Sequence, residues 1–128
     1  MALGRYGEVL GQARGADISL RLRRWSAEII RLVERLPKER WAQHVGLQTV
    51  RSATSAGANY QEARYAQSRA DFVHKVSIAA KEVAETLYWL ELIAELNLQP
   101  DALPGLLREA DELTAILVSS GRTARANA

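Results

Sequence analysis

Two side chains in this sequence have the chemistry for acid–base or metal work near neutral pH, His44 and His74. They fall on different predicted helices. Asp71-x-x-His74 is the nearest match to the Glu-x-x-His pair with which helical bundles hold two iron atoms. Such a site needs two of these pairs and two more carboxylates, and no second pair is present. Asp71 has a simpler reading. Ser68-Arg-Ala-Asp71 has the spacing of a capping box, with Asp in place of the usual Glu. His74, beside Lys75, is expected in solvent or at a subunit contact. The chain has no cysteine, so it has no thiol nucleophile, thiolate metal site or disulfide. It also lacks a glycine-rich phosphate loop, a nucleophile elbow and a zinc-ligand spacing. Lys81 and Glu85 are spaced as an i,i+4 ion pair, with Glu82 close by. No catalysis, metal or cofactor is therefore expected.

The other chemistry on offer is charge. Arg21, Arg24, Arg31 and Arg35 follow steps of three, seven and four, which places them on one helical stripe, with Arg23, Lys38 and Arg40 nearby. Clustered arginine suits phosphate, so this stripe is a candidate nucleic-acid surface. Glu28 and Glu34 are placed to pair with Arg24 and Arg31, so a solvated or inter-subunit salt-bridge face is the competing reading. No helix-turn-helix or aromatic RNA-binding signature accompanies the stripe. Residues 81–112 hold two basic and eight acidic residues, which repel phosphate.

This charge is unevenly spread over a chain of 128 residues, a length suited to one domain. Residues 1–64 carry eleven Lys/Arg against six Asp/Glu; residues 65–128 carry six against nine. The halves are thus +5 and −3, and the whole is +2. A basic half favours a polyanion or the acidic half of a neighbouring subunit. No apolar run reaches the ~18 residues of a membrane span, and no secretory h-region opens the chain, so no membrane partner and a cytoplasmic location are expected.

The elements that must position these groups are all helical. Residues 1–15 hold four of the eight glycines and are expected to form a flexible arm. Ile18, Leu22, Trp25, Ile29, Leu32 and Leu36 mark one face of a helix from about Asp17, which Pro37 ends. Ser26, Ile30 and Val33 widen that face beyond what one bundle seam needs, which suggests a second covered surface. The next helix runs from about Arg40 to Ala66 through Leu47, Val50, Thr54, Gly57 and Ala58. A third begins near Arg69, with Phe72, Val76, Ala79, Val83, Leu87, Leu90 and Ala94 as its seam. It ends around Asn97. Pro104 opens the fourth, whose core face is Leu106, Ala110, Leu113 and Leu117. Residues 122–128 are expected to fray. The result is an all-α, antiparallel up-down four-helix bundle over residues 16–121. Trp25 lies on the core face, while Trp89 falls off the third-helix seam. Ile30, Tyr60, Tyr88 and Trp89 are candidate subunit-interface residues.

"SATSAGANYQE", residues 52–62, is the least usual stretch. Ala53 and Gly57 are four apart, a spacing that lets a neighbouring helix approach closely. Arg51, Ser55, Ala58 and Glu62 form a second stripe, and Asn59 can bond along it. A polar cluster that fixes helix register is the reading preferred over a ligand site.

With these residues quoted, a resemblance is visible. Gln48, Arg51, Ser55, Asn59, Glu62, Ser68, Phe72, Lys75, Ala80, Glu82 and Glu85 fall on the recurring positions of the bacterial four-helix bundle family, also called the 23S rRNA intervening-sequence protein family. "ETLYWLELI" and "EADELTAILVSSGRTAR" are similar to its later runs. Gly57 stands where the common family version has proline, and Ala63 where it has glycine. The resemblance spans about Leu20 to Arg125. It implies a ring-like homo-oligomer, a pentamer, with no established enzymatic activity. The family includes the accessory protein of diversity-generating retroelements, which binds nucleic acid and a reverse transcriptase. The expected function is therefore a non-catalytic scaffold or adaptor. The alternative is a nucleic-acid-binding accessory protein using Arg21, Arg24, Arg31, Arg35, Lys38 and Arg40.

Overall fold

The computed structural model describes residues 12–98 and 101–127, which form four helices and no strand. They are α1 (Gln12–Val33), α2 (Arg40–Arg64), α3 (Arg69–Glu95) and α4 (Leu103–Ala126). Each packs on its chain neighbours, and α1 also meets α4, so the four close an up-down bundle without diagonal contacts.

Local chemistry sets the helix ends. Ser68 takes extended backbone angles and its hydroxyl accepts the Asp71 N–H at 3.1 Å, the cap its spacing predicts. Asn97 sits at φ 59°. The Asn97 N–H reaches Ala94 O at 3.0 Å and the Leu98 N–H reaches Ile93 O at 3.3 Å, a Schellman stop for α3. Pro104 lies in the first turn of α4, where its missing N–H costs nothing.

Two expectations about the termini need correction. Most of the predicted arm lies outside the described residues, but Gln12 to Gly15 already belong to α1. The predicted tail is helix through Ala126, because Gly121 and Ala124 are buried and extend the α4 core stripe by two turns.

The core follows the predicted face of α1 in full: Ile18, Leu22, Trp25, Ile29, Leu32 and Leu36 are all buried. The Trp25 indole N–H donates to Leu106 O at 3.2 Å, tying α1 to α4. In α3 the buried set is Phe72, Val76, Ala79, Val83, Thr86, Leu90 and Ile93. Thr86 and Ile93 replace the predicted Leu87 and Ala94, which are half-buried. The buried positions keep a strict alternation of four and three, whereas the predicted seam takes a second step of four after Val83, which turns Leu87 and Ala94 off the core.

The core face of α2 differs most from expectation. Ala42, Val45, Gly46, Thr49, Ser52, Ala53, Ala56, Tyr60 and Ala63 are buried, while Leu47 is 65% exposed and Thr54 and Ala58 face solvent. This helix lies between α1 and α3, and its small residues let both approach. The tightest point is Gly46, where an added Cβ would lie 2.7 Å from Val33 Cγ1 and 3.4 Å from Leu36 Cδ1. At Gly57 the nearest atom would be Leu22 Cβ, at an ordinary 3.8 Å. Close packing therefore requires glycine at position 46 and not, as expected, at 57; Ala53, fully buried, does serve it.

Candidate functional surfaces

The two flanks of α2 hold most of the residues singled out by the sequence. On the α3 side they form a polar network and, one turn on, a separate ion pair. The Asn59 amide donates to Ser55 O at 2.9 Å and to Ser55 Oγ at 3.2 Å. Ser55 Oγ donates to Glu82 Oε2 at 2.7 Å. Arg51 Nη1 lies 3.7 Å from Glu82, its Nη2 pairs with Glu85, and its Nε donates to Gln48 Oε1 at 3.1 Å. The Trp89 indole N–H donates to Glu85 Oε2 at 3.0 Å. Lys75 Nζ meets Glu62 Oε1 at 2.6 Å one turn beyond Asn59. Beneath this ladder the Ser52 and Thr86 hydroxyls meet at 2.7 Å, both buried.

Arg51, Ser55, Asn59 and Glu62, expected as a structural polar motif, all bond on this flank, Glu62 apart from the other three. The partners on α3 are Glu82, Glu85 and Lys75. The predicted Asn59 bond along the stripe ends on Ser55, not Glu62. The predicted Lys81–Glu85 pair does not form, because Glu85 turns toward α2. The Trp89 indole and then the Arg51 guanidinium hold the Glu85 carboxyl below its ordinary pKa. The Glu62 carboxylate raises the Lys75 ammonium, and Glu85 raises the Arg51 guanidinium. Glu82 and Glu85 are both engaged by α2, so the network ties the register of the two helices.

Toward the start of α2 the same seam turns aromatic. Trp89 meets His44 edge-on at 6.1 Å and Tyr88 at 5.0 Å. Tyr88 is 57% exposed, Trp41 46% and Leu96 43%. His44 stands by this patch and His74 near the opposite end of the bundle. Among the described residues no cluster of His, Asp or Glu is suited to a metal ion.

On its α1 flank α2 carries no ladder. Ser19 Oγ donates to Gln61 Oε1 at 2.8 Å and Ser26 Oγ donates to Ala53 O at 3.2 Å. Between these bonds an open trough of about 250 Å³ is lined by Ser19, Arg23, Ser26, Thr54, Gly57, Ala58 and Gln61. Ile30, one turn past Ser26 on α1, is 39% exposed.

The arginine stripe divides. Arg24 and Arg31 are exposed on the outer face of α1, with Arg35 and Lys38 following in the turn and Arg40 at the start of α2. Among the described residues none of these five forms an ion pair, so the expected Glu28 and Glu34 pairs are absent. Arg21 is removed from the stripe. It faces α4 and makes a two-pronged bond to Glu109, at 3.0 and 2.7 Å, with Glu112 at 3.4 Å. Those carboxylates raise its pKa further. Tyr60 is also corrected: it is 4% exposed and part of the core, and burial raises its phenol pKa. Ile30 and Tyr88 stay on the surface, and Trp89 is half-buried. Among the described residues no helix is long and apolar enough to cross a membrane.

Residues 17–119 match the family model of the 23S rRNA-intervening sequence protein. The fold is similar to the crystal structure of a protein of unknown function from the S23 ribosomal protein family of Bacteroides thetaiotaomicron. The two share 33% identity with a TM-score of 0.77, over 84% of this chain and 97% of the other. No curated protein matches the chain.

Proposed function

The chain belongs to the 23S rRNA-intervening sequence protein family, and we propose that it acts without catalysis, as a self-associating scaffold that presents charged surfaces to a partner. One observation carries this reading. Trp41, Leu47, Tyr88 and Leu96 are large, apolar and 43–65% exposed, on a bundle whose core is filled without them. Such a surface is a contact surface when it is grouped rather than scattered, and three of these four gather at one end of the α2–α3 seam. The uneven charge supports the same reading, since a basic outer face of α1 and an acidic α3–α4 half complement each other between copies. A closed ring, and a pentamer as the family resemblance implies, is the arrangement proposed. Sedimentation equilibrium of the full chain over a wide concentration range tests it. A discrete multiple of 14.2 kDa supports it, and a single-chain mass throughout refutes it.

A second reading rests on Arg24, Arg31, Arg35, Lys38 and Arg40, which form no ion pair among the described residues and are exposed to phosphate. It is the weaker of the two, since Arg21 is held by α4 and Glu28, Glu34 and Glu39 lie among the rest. Anisotropy titration with structured RNA and single-stranded DNA separates the readings. Binding that falls steeply with salt, and falls again when Arg24, Arg31 and Arg35 become Ala, supports nucleic acid. Absence of binding at low salt leaves the scaffold.

A further inference from the structure

We infer that the α1–α2 trough seats the exposed ridge of α3 from a second copy of this chain, in a head-to-tail contact; the inference rests on the self-association proposed above.

The trough is not a consequence of tight packing. Gly57 on its floor has space for a side chain, Ala58 is exposed, and Thr54 uses its hydroxyl within its own helix, on Val50 O at 2.8 Å. A helix flank left lined mainly by Ser, Gly, Ala and Thr leaves room for an incoming side chain. At about 250 Å³ the space suits a large one. The α1 side of this trough is basic, with Arg23 in its wall and Arg24 and Arg31 beyond, all exposed and forming no ion pair among the described residues.

The ridge has the opposite properties. Tyr88 stands out from α3, more than half exposed, with Leu92 one turn on half-buried against the core. Glu91 and Glu95 flank them, exposed and likewise without an ion pair. Glu85, one turn earlier, is already held by Arg51 and Trp89, which keeps the aromatic group rigid. Trough and ridge are thus complementary in shape, polarity and charge. They lie on different faces of the molecule, so one copy cannot satisfy its own. A contact between unlike faces is heterologous, and it closes into a ring when the rotation between copies allows it.

Two exposed positions test the contact without disturbing the core. Ala58→Trp fills the trough, and Tyr88→Ser removes the crest of the ridge. Each variant alone is expected to keep wild-type helicity while sedimenting as a single chain. An equimolar mixture is expected to give a two-chain species and nothing larger. The Ala58→Trp copy still offers its ridge, the Tyr88→Ser copy still offers its trough, and the spoilt faces remain outside. Wild-type assembly mass for either variant overturns the trough–ridge contact and leaves the scaffold reading standing. A mixture that stays single-chain also overturns it. A wild-type chain that never self-associates refutes both.

Discussion

The two flanks of α2 are built from the same short stretch of sequence and are finished in opposite ways. Toward α3, Arg51, Ser55, Asn59 and Glu62 meet Glu82, Glu85 and Lys75, and the seam is sealed by bonds between side chains. Toward α1, the floor of the seam is tight at Gly46 and open at Gly57. The sealed flank explains itself within one chain. The open flank does not, since leaving an amphipathic helix edge unfilled forgoes dispersion contacts that a Leu or Met would supply. Small residues thus have two meanings in this helix: Ala53 and Gly46 admit a neighbour that is present, and Gly57 and Ala58 leave space.

The largest effect that would break this comparison lies at the closed end. Gly46→Leu drives a branched side chain into Val33, itself stiff at χ1, and is expected to cost about 1–3 kcal/mol or to abolish folding. Thermal denaturation reads it, and an unchanged midpoint would contradict the packing.

Next is the buried hydroxyl pair under the ladder. Thr86→Val keeps the shape and removes the bonds to Ser52 and to Glu82 O. A loss of about 1 kcal/mol in urea denaturation is expected, because Ser52 keeps its bonds to Gln48 O and Thr49 O.

A smaller effect concerns pH. The folded-state pKa of Glu85 lies below the ordinary carboxylate value. Its contribution to stability is therefore present above that value and lost as pH falls through the lowered one. Lys75 acts in the other direction: raised by Glu62, it contributes below the ordinary lysine value and loses that contribution as pH rises through the raised one. Glu85→Gln is expected to flatten the acid limb of the stability profile and leave the alkaline limb unchanged. An acid limb identical to wild type would remove Glu85 from the ladder's energetics.

Much of this was readable from the sequence. The α1 face, the Ser68 cap, the core role of Trp25 and the polar stripe at Arg51, Ser55, Asn59 and Glu62 all follow from spacing. The failures share a physical cause. Periodicity identifies a face but not what lies across from it. Arg21 reads as one of a stripe until α4 supplies Glu109 and Glu112. Tyr60 reads as a boundary residue until the bundle closes over it. Gly46 and Gly57 are both glycines on one flank of one helix, and only the position of Val33 tells them apart. The end of α4 was missed because Ser119, Ser120, Gly121 and Thr123 are weak helix formers that tertiary burial overrides.

The smallest substitutions give the most direct test. Gly46→Ala and Gly57→Ala gain the same helix propensity, about 1 kcal/mol, so the difference between them reads packing alone. Their stabilities would be measured by urea denaturation, at a concentration where each sediments as a single chain. Gly57→Ala at or above wild type, with Gly46→Ala lower by about 1–3 kcal/mol, is the result expected of an open trough beside a closed floor. Gly57→Ala destabilised as much as Gly46→Ala would contradict it, and would make the small residues of α2 a requirement of the fold alone.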